Sequence, residues 1–335
     1  MGFHNFMGNT PILKSIQQQL SEAKIPSSLL FAGTSGIGKW TLAHYISKAL
    51  NCNKLTNDFC DSCTSCLKIN NNVHLDVKTY SPDGTFIKIN QMRELNKEVF
   101  FKPFEGSRRV FIIDQAHHLR IEAATSILKT LEEPPETSVM ILITDSPSDL
   151  LATIRSRCQI FHFSPLESHI LQKILKQQST FASEDIPLVE RISEGSLGKA
   201  LTLDLNQYRK SRGKLMIALD ACIGHLAYHQ ARKVMDYFTS FNQKEVFTFN
   251  LDILQKLLRD IFILKIDPSA GMITNIDLHE KLNILSRKVT LAQICGAAQS
   301  LDWLTKGLER NLNKTLALDR FLFTLSGLIR PPSTY

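Results

Sequence analysis

Short apolar runs alternate with amphipathic stretches through the first half of the chain. Ser28-Leu29-Leu30-Phe31-Ala32, closed by Gly33, predicts a buried strand, and Val110-Phe111-Ile112-Ile113 is the strongest strand pattern in the sequence. Residues 76–80, 139–143 and 159–163 predict three more. Between them, residues 39–50, 89–100 and 121–133 place apolar side chains at helical spacing, the last ending at Pro134-Pro135, where proline cannot continue the hydrogen-bond ladder. Alternation of this kind argues for a parallel sheet with helices on both faces. After Pro165 the strand-like runs fade and helical patterns follow to about Leu328. The expected organisation is an α/β domain over 1–163, a small helical domain over 164–205 and an all-helical domain of about five helices over 206–335. The tail, Pro331 to Tyr335, is expected to be loose.

Composition narrows the class. The 335 residues are 43% hydrophobic and 21% charged, as in an ordinary globular chain and unlike a disordered one. No apolar run approaches the roughly 18 residues a membrane span needs, and Met1 to Phe6 lacks the pattern of a secretory signal. A cytoplasmic protein with reduced thiols is therefore expected. The net charge of +7 comes from the last 130 residues, where 18 basic side chains face 11 acidic ones. Those charges are scattered singly without interleaved aromatics, which favours solvated helix faces over a DNA-binding patch.

Candidate chemistry begins after the first strand. Gly33-Thr34-Ser35-Gly36-Ile37-Gly38-Lys39 joins a predicted strand to a predicted helix, the context a phosphate-binding loop requires. Glycines 33, 36 and 38 let backbone N–H groups turn toward phosphate oxygens, and Lys39 reaches the outer phosphates. The next residue should carry a hydroxyl that ligates Mg²⁺, yet it is Trp40, whose indole can only donate a hydrogen bond. Thr41 comes one residue late, about 100° further round the helix. Asp114 ends the strand 110–113 as a metal-side carboxylate should, but Gln115 stands where a hydrolysing enzyme carries a glutamate base. Losing both groups points to a retired active site.

Cys52, Cys60, Cys63 and Cys66 form C-x7-C-x2-C-x2-C, four of the seven cysteines within 15 residues. Four thiolates saturate a tetrahedral Zn²⁺ and leave no open position, so the expectation is structural zinc. Lys54 and Lys68 are balanced by Asp58 and Asp61, so this module shows no basic surplus for nucleic acid. Cys158, Cys222 and Cys295 sit in apolar patterns and are expected in the core. Arg157, in Ser156-Arg157-Cys158, precedes the last strand. It reads equally as a finger for a neighbour's γ-phosphate and as a surface arginine paired with a carboxylate.

Four segments together carry a resemblance: the phosphate loop with its four-cysteine insertion, Ile87 to Leu95 (IKINQMREL), Ile127 to Pro135 (ILKTLEEPP) and Ser156-Arg157-Cys158. On these the chain resembles the delta prime subunits of the bacterial DNA polymerase III clamp loader, which are AAA+ proteins. The resemblance implies an α/β AAA+ domain with a zinc module, a helical lid and an all-helical collar that holds a hetero-pentamer together. It implies gamma/tau and delta subunits as partners, with the sliding clamp and primer-template DNA met through the complex. Thr144 matches the first sensor position. Gly198, in Gly195-Ser196-Leu197-Gly198-Lys199, stands where a second-sensor arginine is expected, with Lys199 adjacent but displaced. Arg157 would serve a neighbouring ATP site in trans. The vestigial site of this chain is Gly33, Gly36, Gly38, Lys39, Asp114 and Thr144, and binding of ATP and Mg²⁺ there is put in doubt. A gamma/tau-like hydrolysing motor subunit is the alternative.

Overall fold

A computed structural model describes residues 2–223, 232–233, 244–307 and 314–327. They fall into two compact units, Met1–Thr180 with Ser193–Leu201, and Phe181–Ile192 with Thr202–Tyr335.

The first unit is built on five strands, β1 (Ser28–Ala32), β2 (Val77–Tyr80), β3 (Arg109–Ile113), β4 (Ser138–Thr144) and β5 (Gln159–His162). All pairings are parallel and the order is β2-β3-β4-β1-β5. Every residue of β1, β3 and β4 is buried, which explains why they read as continuous apolar runs. Edge strand β5 buries only Phe161.

Period-two alternation divides the core. Leu29, Phe31, Val110, Ile112, Val139 and Ile141 join one cluster with Leu13, Ile16, Leu42 and Ile46 of α1 (Thr10–Ser21) and α2 (Lys39–Asn51). Leu30, Phe111, Ile113, Met140 and Leu142 join the other. There they meet α4 (Ile89–Glu98), α5 (Ile121–Ser126), α6 (Leu128–Glu132) and α7 (Ala152–Arg155). A short α3 (Thr64–Asn70) follows the cysteine cluster, and α8 (Ser168–Gln178) follows β5.

The single helix expected over 121–133 is interrupted at Ile127, which leaves α5 and α6 separate. Thr125 Oγ1 donates to Ile121 O and Ser126 Oγ to Ala123 O, each at 2.7 Å. Asn96 Nδ2 takes the Ser126 carbonyl at 2.8 Å. These side chains compete for the carbonyls that would continue the helix.

A buried polar knot closes the N-terminal edge of the sheet. Asp76, 1% exposed, accepts the backbone N–H groups of Phe104, Glu105 and Gly106, each at 2.8 Å. Arg109, equally buried, sits with Nε 3.6 Å from Asp76 and donates to the carbonyl and carboxylate of Glu98.

The second unit is helical among its described residues, with Leu205–Ile223, Lys244–Ile266, His279–Lys288, Leu291–Gly307 and Lys314–Leu325 as its main helices. Leu215, Leu219, Leu257, Ile261, Leu301 and Phe321 are among its buried side chains. Asp260, fully buried, takes the N–H groups of Thr274 and Asn275 at 2.7 and 2.8 Å and so pins the turn before Ile276. The segment 164–205, read from sequence as one piece, is divided between the two units.

Of the three cysteines expected in the core, Cys222 is buried and Cys158 half-buried, while Cys295 is exposed on Leu291–Gly307. A small apolar residue in an apolar helix does not mark which face turns inward. The tail 331–335 lies outside the described residues.

Asp76→Ala should lower the unfolding free energy of the first unit by about 3–5 kcal/mol, the cost of stranding a buried partner charge. Urea unfolding followed by circular dichroism measures it.

Candidate functional site

The parallel sheet brings three of the expected elements to one edge. Gly33 to Gly38 joins β1 to α2, Asp114 follows β3, and Thr144 ends β4, so all lie at C-terminal ends of adjacent strands. Gly36 and Gly38 have φ of +75° and +99°, conformations that side chains disfavour.

The lysine and the carbonyls of this loop are hydrogen-bonded within the chain. Lys39 is 4% exposed, and its ammonium donates to Gly33 O at 2.5 Å, Thr34 O at 2.7 Å and Asp145 Oδ1 at 2.7 Å. An ammonium has three donors, and all three are used. The next two loop carbonyls are also taken: Ser196 Oγ donates to Ser35 O at 2.8 Å, and the Gly198 N–H to Gly36 O at 2.8 Å. Gly198, in the short helix Leu197–Thr202, lies so close that a Cβ there would fall 2.8 Å from Gly36 Cα. The place where the resemblance expects a second-sensor arginine is thus a backbone-to-backbone contact.

Trp40 and Asp114, at the positions where a metal was expected, also make contacts within the chain. Trp40, in the first turn of α2, stacks on His44 with ring centroids 4.6 Å apart and 19° between planes. Burial, then the Lys48 charge, hold His44 down to about 4, so the stacked ring is neutral at neutral pH. Asp114 is half-buried; burial raises its carboxyl above the usual range, Asp145 adding to the rise while the Gln115 N–H and Lys39 oppose it. Gln115 adopts φ +52° and donates its backbone N–H to Asp114 Oδ1 at 2.9 Å. Thr144 Oγ1 accepts the Ser146 N–H at 3.1 Å and lies 3.2 Å from His117 Nδ1. Burial, then the neighbouring His118, hold His117 below the ordinary histidine value. A cleft of about 620 Å³ opens onto the loop, lined by Ser35 to Thr41, by Asp114, Gln115 and Asp145, and by Phe6, Tyr45 and Leu201 among others.

The four cysteine sulfurs lie within 4.8 Å of one another, with Cys52 3.7 Å from Cys60 and 4.0 Å from Cys63. Tetrahedral bonds of the zinc–thiolate length, ~2.3 Å, place sulfurs ~3.8 Å apart, so the set fits a tetrahedral metal ion. Backbone N–H groups of Leu55, Ser62, Cys63 and Cys66 point at the sulfurs of Cys52, Cys60, Cys60 and Cys63 at 3.3–3.4 Å. Hydrogen bonds from Ser62 pull the Cys60 thiol down to about 6, whereas burial pushes Cys66 up to about 12. The module is tied to the domain by Lys48, 2.5 Å from Asp61, and by Phe59, edge-on to Phe3 with centroids 5.5 Å apart.

Arg157 stands at the opposite edge of the sheet. In the β1–β5 register Gln159 is level with Leu29 and His162 with Ala32. Arg157 therefore lies before the N-terminal end of β5, and the loop after the C-terminal end of β1, separated by roughly 15–20 Å at ~3.3 Å per residue. It cannot serve its own loop. Its Nε donates to Glu132 Oε1 at 2.8 Å, Nη2 donates to the same oxygen, and Nη1 donates to Thr153 O at 2.8 Å. The surface pairing anticipated from sequence is present, at a side chain that stays 31% exposed.

Asp145, Ser196 and His117 were not singled out by sequence reasoning. Asp145 follows Thr144 directly and is the only one with a positional hint; the others reach the site through tertiary contacts.

At an ordinary helical position Gly→Ala would stabilise by about 1 kcal/mol. Gly198→Ala should instead destabilise the first unit by about 1–3 kcal/mol, because the added methyl collides with the Gly36 backbone. Thermal or urea unfolding gives the sign.

Comparison with known proteins adds to this geometry. A model of the family described as DNA polymerase III, delta subunit, matches residues 8–167. The gamma/tau subunit of Mycoplasma pneumoniae is 33% identical over 60% of this chain and 30% of its own length, and the Escherichia coli tau subunit 31% over 73% and 39%. The chain thus spans about a third of the length of these two relatives. The Bacillus subtilis delta' subunit is 27% identical over 90% of this chain and 91% of its own. A Thermotoga maritima protein related to the gamma subunit covers 94% of this chain and 98% of its own at 19% identity, with a TM-score of 0.46. Over residues 8–167 the chain is thus similar to the family of DNA polymerase III delta subunits, and over most of its length to gamma/tau and delta' subunits.

Proposed function

We propose that this chain is the delta prime-type subunit of a DNA polymerase III clamp loader, that it does not hydrolyse ATP itself, and that it lends Arg157 to a neighbouring motor subunit. The observation that carries this reading is Lys39, whose three donors are spent on Gly33, Thr34 and Asp145 beside a residue, Trp40, that cannot hold Mg²⁺. Hydrolysis needs a metal ligand and a group that handles the attacking water. Trp40 removes the first and Gln115 the second.

In an assembly of this chain with delta and gamma/tau subunits, Arg157 acts outward; its position across the sheet from its own loop supports that role. Its planar, permanent charge suits the developing charge on a transferring γ-phosphoryl group, where such a finger is worth roughly 10³–10⁵ in rate. The partner's ATP then drives clamp opening, and hydrolysis on primed DNA releases the clamp. The segment 164–205 serves as a lid and 206–335 as the collar. The four cysteines hold a structural Zn²⁺ that ties α2 to α3.

The alternative, a hydrolysing gamma/tau-like motor, draws on the open cleft that the loop and Asp114 line and on the retained Thr144. One experiment separates the two. In the reconstituted pentamer of this chain, delta and three gamma/tau copies, Arg157→Ala should lower DNA-stimulated ATP turnover by at least about a third, the share of one gamma/tau site in three, while Lys39→Ala leaves it unchanged. Loss with Lys39→Ala and none with Arg157→Ala would establish the motor reading.

The purified chain should carry about one equivalent of zinc, measured by atomic emission, and release four thiols on chelation. Less than half an equivalent would remove the metal from the account.

A further inference from the structure

Three of the five N–H donors of Arg157 are already committed. Nε and Nη2 both meet Glu132 Oε1, and Nη1 meets the carbonyl of Thr153 in α7. Ser156 Oγ, 3.4 Å from Nη1, adds a weaker contact. The plane of the guanidinium is thus set by two anchors on different elements, one a carboxylate and one a backbone carbonyl. Nη2 keeps a second N–H that none of these contacts uses.

Glu132 is itself well held. It is the last residue of α6, directly after Leu131, which is buried, and before the Pro134-Pro135 stop. Thr130, in the same helix, donates to Asn96 Oδ1 at 2.8 Å and so locks α6 to α4. The carboxylate therefore stands on a rigid support, while the long arginine side chain has several rotatable bonds to lose.

We propose that Glu132 is a positioning residue for Arg157: it holds the guanidinium in the plane and direction needed to meet a phosphoryl group across a subunit boundary. The inference rests on the reading of Arg157 as a finger acting in trans. An exposed ion pair of this kind contributes little to folding, so its effect falls on orientation rather than on stability. A reacting group held near its productive geometry loses less freedom at the transition state than one that must be captured from many rotamers. Removing Glu132 leaves the charge of Arg157 intact but frees its direction.

The test uses the reconstituted complex and reads DNA-stimulated ATP turnover with KM for ATP. Glu132→Ala should reproduce at least half of the loss in kcat caused by Arg157→Ala, with KM within about twofold and with thermal stability and assembly unchanged. Glu132→Gln, which keeps an oxygen acceptor at the same reach, should restore most of that loss. The double variant should be no slower than Arg157→Ala alone, because both changes disable one device. Wild-type turnover in Glu132→Ala, or turnover above wild type, would overturn the positioning role, as would additive losses in the double variant. Wild-type turnover in Arg157→Ala would instead overturn the finger itself, so the two failures are told apart.

Discussion

Five strands running in one direction impose the constraint on which the rest of the first unit depends. Parallel pairing sends every strand's C-terminal end to one edge and every N-terminal end to the other. The phosphate loop, Asp114 and Thr144 gather at the first edge because each follows or ends a strand. Arg157, Glu132 and the Asp76–Arg109 knot gather at the second because each precedes one. A single molecule thereby presents the phosphate-loop motif on one side and the Arg157 guanidinium on the other.

At the first edge, the loop's own acceptors and donors have been turned inward. Four consecutive carbonyls, from Gly33 to Gly36, receive hydrogen bonds from within the chain. The lysine that would meet phosphate meets Asp145. Buried polar groups must be satisfied, and here the protein supplies both partners. The result is a strand-to-helix turn whose lysine and carbonyls are bonded within the chain. Gly198 belongs to the same economy of space, since its missing side chain is what allows two backbones to touch.

The cysteine module answers a different problem. Residues 52–63 contain little regular structure, and a loop of that kind has few contacts of its own. Phe59 joins Phe3 and Tyr45, Asp61 pairs with Lys48 of α2 and accepts from Asn70 Nδ2 of α3 at 3.2 Å, and Asp58 accepts the Phe3 N–H at 3.1 Å. The converging sulfurs supply a further attachment when a metal ion links them.

Much of this architecture was legible in the amino-acid order. The five strands follow from apolar runs too short for helices, and their parallel arrangement from the helices between them. The phosphate loop, its two substitutions and the cysteine spacing are local patterns, so they could be read residue by residue. The break at Ile127 was not legible, because it depends on Asn96 arriving from a helix 30 residues away to take a carbonyl. Nor were the pairing of Lys39 with Asp145, of Gly198 with Gly36, or of Arg157 with Glu132, which join residues 106, 162 and 25 positions apart. Hydrophobic periodicity reports the face a residue turns toward the core, but it carries no information on which polar group will lie opposite. Sequence determined the elements and the donors and acceptors they carry. Only the tertiary structure decided which donor meets which acceptor, because that is set by the sheet's order and register.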